Sequence, residues 1–123
     1  CQIVGQYASL FHSAMGKACL TQLPLEEVQR LAVRDQVAAD EQYRACEQTQ
    51  HQGFGQRTEG YWEYPVRLPF LIRAVALPVR TNGRLVGSMA LHWPMHQAPV
   101  ERVLNLHMAS LEQAVREVQQ ALA

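Results

Sequence analysis

The residues of this chain best suited to chemistry are the run His12-Ser13-Ala14-Met15-Gly16-Lys17-Ala18. Ser13 is a good helix N-cap, because its hydroxyl can accept a hydrogen bond from a first-turn backbone N–H. A helix that opens there exposes unpaired N–H groups and a partial positive charge, which suits an anion. Ala14, Met15 and Gly16 fall in that first turn, where small side chains let a ligand come close to the backbone. The same residues also make an ordinary capped helix, and taken alone they favour that plainer reading.

The other reactive side chains do not combine into a catalytic set. His12, His51, His92, His96, His107 and the three cysteines show no HxxxH or CxxC spacing, so no metal site is expected. Gly16-Lys17 lacks the upstream glycine and the following Ser or Thr of a phosphate-binding loop, and there is no GxSxG. Asp35, Asp40 and Glu41 fall on expected helices with no partner acid suggested. His12 suits a polar packing role at a strand end. Lys17 is expected to reach solvent or cap an interface rather than act as a nucleophile.

Composition narrows the class. The chain has 123 residues, 48% hydrophobic and 18% charged, which is one globular domain and not a disordered one. Lys+Arg and Asp+Glu both total 11; Lys17 is the only lysine, and the arginines are scattered. A self-sufficient nucleic-acid module would show a basic patch or stripe. Cys1, Cys19 and Cys46 have no paired spacing, which points to a reducing, cytoplasmic setting. No apolar run approaches the ~20 residues of a membrane span. The chain begins without Met, and Gln2-Ile3-Val4-Gly5 already reads as a strand, so a fragment or processed chain is expected.

These groups are carried by elements the pattern predicts. Residues 3–11 read as an extended entry. Helical spacing follows through Met15, Ala18, Cys19 and Leu23. Pro24 with Glu26 and Glu27 starts a second helix, with Val28, Leu31 and Ala32 inward. Residues 38–52 form a third, more polar helix with Tyr43, Cys46 and Gln50 inward, and Gly53 stops it. A strand over 54–58 leads to an aromatic loop over 59–69. Two strands, 70–80 and 85–93, turn on Asn82-Gly83, a strong hairpin signal because both residues tolerate positive φ. Pro78 makes the first of them an edge there, or bulged. Pro99 and Glu101 start a long helix. Its apolar stripe runs through Val100, Val103, Leu104, His107, Leu111, Ala114, Val115, Val118 and Leu122, placing His107 in a core or an interface.

In order and spacing these segments resemble the effector-binding domain of the isocitrate-lyase-regulator (IclR) family of bacterial transcription factors. The resemblance rests on Phe11-His12-Ser13-Ala14-Met15-Gly16-Lys17-Ala18 through Leu23-Pro24, then Gln52-Gly53-Phe54 and Ala74-Val75-Ala76-Leu77-Pro78-Val79. It continues through Gly83-Arg84-Leu85-Val86-Gly87, Ala90-Leu91-His92-Trp93-Pro94 and Ala98-Pro99-Val100-Glu101. It implies an α+β (broadly α/β) fold: a GAF/profilin-like curved antiparallel sheet flanked by helices, with a long C-terminal helix. It also implies a sensor domain incomplete at its N-terminus.

The resemblance further implies a ligand site. It assigns the amides of Ala14, Met15 and Gly16 to an effector carboxylate and so reverses the weight of the plainer reading. Arg57 falls where many relatives carry a pocket-lining acid, and a guanidinium there would clamp a carboxylate. Ala74, Ala90 and His92 fall where relatives place a Cys and two Ser that touch small keto acids. Alanines enlarge and dry that site, and His92 beside Trp93 adds an aromatic wall. The departure favours an aromatic acid over glyoxylate or pyruvate, as in the subgroup that regulates hydroxyphenylpropionate catabolism. The Tyr61-Trp62-Glu63-Tyr64 segment is open to two readings, a lid over the ligand or a dimer contact. The implied partners are a small carboxylate effector, a second copy in a homodimer or homotetramer, and DNA only through a separate helix-turn-helix domain. No cofactor, metal, membrane or catalysis is implied. The alternatives are a GAF-like nucleotide-binding or dimerisation module and, less favoured, a small hydrolase.

Overall fold

The computed structural model describes residues 9–61 and 67–123. Helix α1 spans Ala14–Leu20, and the Ser13 hydroxyl caps it by accepting the Gly16 N–H at 2.9 Å. Of the extended entry expected over 3–11, residues 3–8 lie outside the described residues; residues 10–12 form a turn instead, and the Ser13 N–H and Oγ–H both donate back to the Ser9 carbonyl. That turn buries Phe11 to 2% exposure. Helix α2, Leu25–Arg34, opens after Pro24 with Glu26 and Glu27 at its positive end. It ends in a Schellman pattern, with the Gln36 N–H on the Val33 carbonyl and the Val37 N–H on the Ala32 carbonyl. Gln36 takes the left-handed position, φ 58°, that glycine usually fills. Helix α3, Ala39–Gln52, stops at Gly53 with φ 83°.

Three antiparallel strands follow: β1 (Gly55–Gln56), β2 (Ile72–Thr81) and β3 (Arg84–Pro94), in the order β1-β2-β3. Asn82 (φ 51°) and Gly83 (φ 75°) make the two-residue turn with both φ positive, which matches strand twist. Pro78 lies in the middle strand, yet its missing N–H costs no ladder bond. The Ala74 carbonyl faces β1, where it accepts the Arg57 N–H, and Pro78 is four residues further along the same edge, past the end of β1. The strand is thus a local edge at Pro78, and a register shift follows between Val79 and Arg80. The freed Arg80 N–H is taken by the side chain of Gln119 in helix α4, Val100–Leu122.

The sheet is covered on both faces. Ala74, Ala76 and Ala90 lie under Ala14, Ala18 and Met15 of α1. Small residues on both sides let the helix sit low on the sheet. Val75, Leu77, Met89, Leu91 and Trp93 face Val100, Leu104, Met108 and Leu111 of α4. A third cluster, Phe11, Leu20, Val28, Leu31, Ala32 and Ala45, joins the first three helices.

Two helix faces depart from the sequence reading. In α3 the buried residues are Ala45 and Thr49, with Cys46 packed beside them; Tyr43 is 65% exposed and Gln50 is exposed. A helix this polar offers few apolar markers, and the small Ala45 and Thr49 fit the close approach to α1 better than a tyrosine. In α4, His107 is exposed, so of the core and interface readings the core one falls; Leu122 is also exposed.

Candidate functional site

Arg57 leaves β1 opposite Ala74, so its side chain shares the α1 face of the sheet. The next residue ties this segment to the turn before α1: the Thr58 N–H donates to the His12 carbonyl at 2.8 Å. The His12 and Tyr61 rings stack, with centroids 4.2 Å apart. The imidazole Nε2 lies 3.2 Å from Glu41 Oε1 in the first turn of α3. Arg57 is only 5% exposed, and its Nη2 donates to the Tyr61 carbonyl.

Beside these residues lies a cavity of about 160 Å³ lined by Arg57, Gly60, Tyr61, Arg67, Leu68, Phe70, Leu71 and Ile72. Among the described residues two guanidinium groups supply its charge, and aromatic and aliphatic side chains supply the rest. Its described walls contain no carboxylate; the nearby Glu59 carboxylate is drawn to Arg73 at 3.4 Å. The volume is below the ~300–1,000 Å³ of sites for drug-sized ligands. It suits a small acid with an apolar body: guanidinium matches carboxylate in charge and planar geometry.

The structure gathers some of the sequence-derived site residues and separates others. Ala14 and Ala74, each 1% exposed, meet in the alanine cluster, with Met15 and Ala90 packed against it. The side chains of all four pack there. Gly16 serves packing too. Its N–H is already held by Ser13, and a Cβ on it would lie 2.5 Å from Leu10 Cα and closer still to the Ser9 carbonyl. His92 pairs across from Ala74 but is exposed. It borders a different, more open cleft of about 440 Å³, with Trp93, Ala98, Arg102 and His107. Trp62 lies outside the described residues. Sequence reasoning did not name Arg67, Phe70 and Ile72 as lining residues, nor Glu41 as the partner of His12, for which it preferred a packing role. The aromatic loop over 59–69 marked the segment of Arg67 without naming that arginine.

Lys17 also departs from its expected place. It is 5% exposed rather than solvated, and burial lowers the pKa of its amine. It does not line the cavity. Cys19 and Cys46 are free thiols, both pushed up in pKa by burial. Among the described residues no three His, Cys, Asp or Glu side chains converge as a metal site, and no helix is long and apolar enough to cross a membrane.

The sequence matches no protein-family model and no curated protein. Solved structures do match the fold. The C-terminal domain of the E. coli transcriptional regulator KdgR aligns with a TM-score of 0.74 at 20% identity, over 96% of this chain and 73% of that one. The Agobacterium tumefaciens repressor BlcR aligns at 0.71 and 15% identity, over 95% of this chain and 49% of that one. An IclR-family transcriptional regulator from Brucella abortus aligns at 0.63 and 20% identity, over 91% of this chain and 43% of that one. The chain therefore spans about half or less of the length of the last two. Its fold is the one these transcriptional-regulator structures share, an antiparallel sheet flanked by helices with a long helix at the end.

Proposed function

We propose that this chain is the effector-binding domain of a cytoplasmic, DNA-binding transcriptional regulator, and that its effector is a small, preferably aromatic, carboxylic acid. The observation that carries the reading is Arg57: a guanidinium 5% exposed on the wall of a small cavity, in a domain with a regulator's fold. The carboxylate docks on Arg57, with Arg67 adding charge, and the apolar body meets Tyr61, Phe70 and Ile72. Glyoxylate and pyruvate would leave those apolar walls unused, so they bind more weakly.

Binding at this place has a route to the rest of the domain. The cavity wall is bonded to the turn before α1 through Thr58 and His12, and to β2 through Ala74. An acid that binds one arrangement of these elements more tightly than another shifts the balance between them. In a homodimer or homotetramer that shift re-sets subunit packing and so the spacing of separate helix-turn-helix domains on DNA. The role is binding, not turnover.

Thermal melting against glyoxylate, pyruvate, benzoate and hydroxyphenylpropionate tests this. A ligand at 100 times its Kd adds about 2.7 kcal/mol, or about 9 °C at roughly 3–4 °C per kcal/mol for a domain of this size. The expected result is a selective rise with an aromatic acid that disappears in Arg57→Ala. A rise with nucleotides and none with acids would overturn the reading.

A further inference from the structure

The wall of this cavity is held from behind by a His12–Glu41 contact that does not line it. Glu41 sits in the first turn of α3, where a carboxylate is favoured by the positive helix end. It meets His12 Nε2 at 3.2 Å; His12 is largely covered, its side chain 20% exposed. The far face of the imidazole pairing is Tyr61, stacked at 4.2 Å with 24° between the ring planes. The carbonyl of that same Tyr61 receives the Arg57 guanidinium. The chain of contact is therefore Glu41, His12, Tyr61, Arg57, running from α3 to the cavity.

Resting on the site proposed above, we infer that His12 and Glu41 are positioning residues for effector binding, setting the aim of the Arg57 guanidinium through Tyr61. The physical basis is that Tyr61 touches both groups: its ring stacks on His12 and its carbonyl accepts from Arg57. Tyr61 is itself 37% exposed, and its N–H donates to the Thr58 carbonyl at 3.4 Å. A stacked ring costs little entropy to hold once its partner is fixed, and Glu41 fixes the partner. A guanidinium binds a carboxylate well only when its plane is correctly turned, so a small rotation of Tyr61 lowers affinity without removing any group from the cavity. Helix α3 thereby enters the binding equilibrium although it contributes no cavity residue.

The test uses benzoate and the whole 123-residue chain, with Glu41→Ala, Glu41→Gln and His12→Phe. Titration calorimetry gives Kd, and the Arg57 side-chain Nε–H resonance reports the guanidinium directly in the unliganded protein. We expect Glu41→Ala to raise the benzoate Kd about tenfold, the size of one weakened charge-assisted hydrogen bond, and to shift or broaden the Arg57 resonance. Glu41→Gln, which can still accept from Nε2–H, recovers most of the affinity. His12→Phe keeps the stack and loses the tie to α3, so it falls between. Unchanged Kd and an unmoved Arg57 resonance in Glu41→Ala and His12→Phe would overturn the inference while leaving the site intact. So would a loss of affinity in Glu41→Gln as large as in Glu41→Ala, accompanied by a falling melting midpoint, because that marks a merely structural role. Failure of benzoate to bind the unmodified chain would overturn the site reading itself, and this inference with it.

Discussion

Replacing Gly55 with alanine puts a carbon where the structure has no space. Gly55 is the point at which α1 lies directly on β1. A Cβ there would sit 2.7 Å from the Ala18 amide nitrogen, 3.2 Å from the Ala14 carbonyl carbon and closer still to the Ala14 oxygen. Ordinary contacts to carbon need about 3.5 Å, so the helix must retreat by about 1 Å. The obstacles are backbone atoms of a capped helix and cannot swing aside as a side chain would. Overpacking typically costs ~1–3 kcal/mol, and the rigidity here places Gly55→Ala at ~3. For a domain of this size that lowers the melting midpoint by about 10 °C, at roughly 3–4 °C per kcal/mol. The proper control is Gly87→Ala in β3, where an added Cβ meets nothing within 4 Å. A methyl there only restricts the unfolded chain, so its midpoint should stay level or rise slightly. Circular-dichroism melting of the two variants beside the parent decides it. If Gly55→Ala melts within about 2 °C of Gly87→Ala, α1 does not lie on the sheet as described.

Two further substitutions follow from the same geometry. Lys17→Met keeps the buried stem and removes a charge that burial disfavours, so it should stabilise the fold by ~1 kcal/mol near neutral pH, read from the denaturant midpoint. Because the folded-state pKa of Lys17 lies below its ordinary 10.5, the unfolded chain binds the extra proton between those two values. The Lys17 contribution to stability therefore improves as pH rises through that window, and Lys17→Met should flatten the rise; an equal slope in both proteins would contradict it. Gln36→Gly relieves a left-handed residue at the α2 Schellman position and should raise stability by about 1 kcal/mol, against a loss of that size if φ at Gln36 were ordinary.

Where the sequence reading succeeded, one residue type dictated one local geometry. Ser13 caps α1, Gly53 ends α3, Asn82-Gly83 closes the hairpin, and Pro78 stands at a local edge next to a register shift. Each of these outcomes follows from a missing Cβ, a missing N–H or a short hydroxyl side chain, and distant parts of the chain hardly alter it. The reading failed where tertiary packing chose among similar options. Tyr43 looked more apolar than Ala45 or Thr49, yet the narrow gap beside α1 takes the smaller pair. Lys17 was expected at solvent or at an interface, yet it is 5% exposed. For the site, Arg57 was found through its place in a family pattern. Arg67, Phe70 and Ile72 line the same cavity as Arg57, which no local spacing records. Ala14, Ala74 and Ala90 were legible as a group that meets, but what they build is the seat of α1 on the sheet.

The central claim is that a small acid is bound against Arg57. The most direct measurement is a backbone and arginine side-chain NMR titration of the chain with benzoate. The account predicts saturable shifts at Gly60, Tyr61, Arg67 and Ile72 and at the Arg57 Nε–H, with smaller ones at His12 and Glu41. Shifts confined to Ala14 and Met15 would put the acid at the start of α1. Shifts centred on His92, Arg102 and His107 would put it in the open cleft beside β3. Either of those patterns, or no saturable shift at all, would contradict the claim.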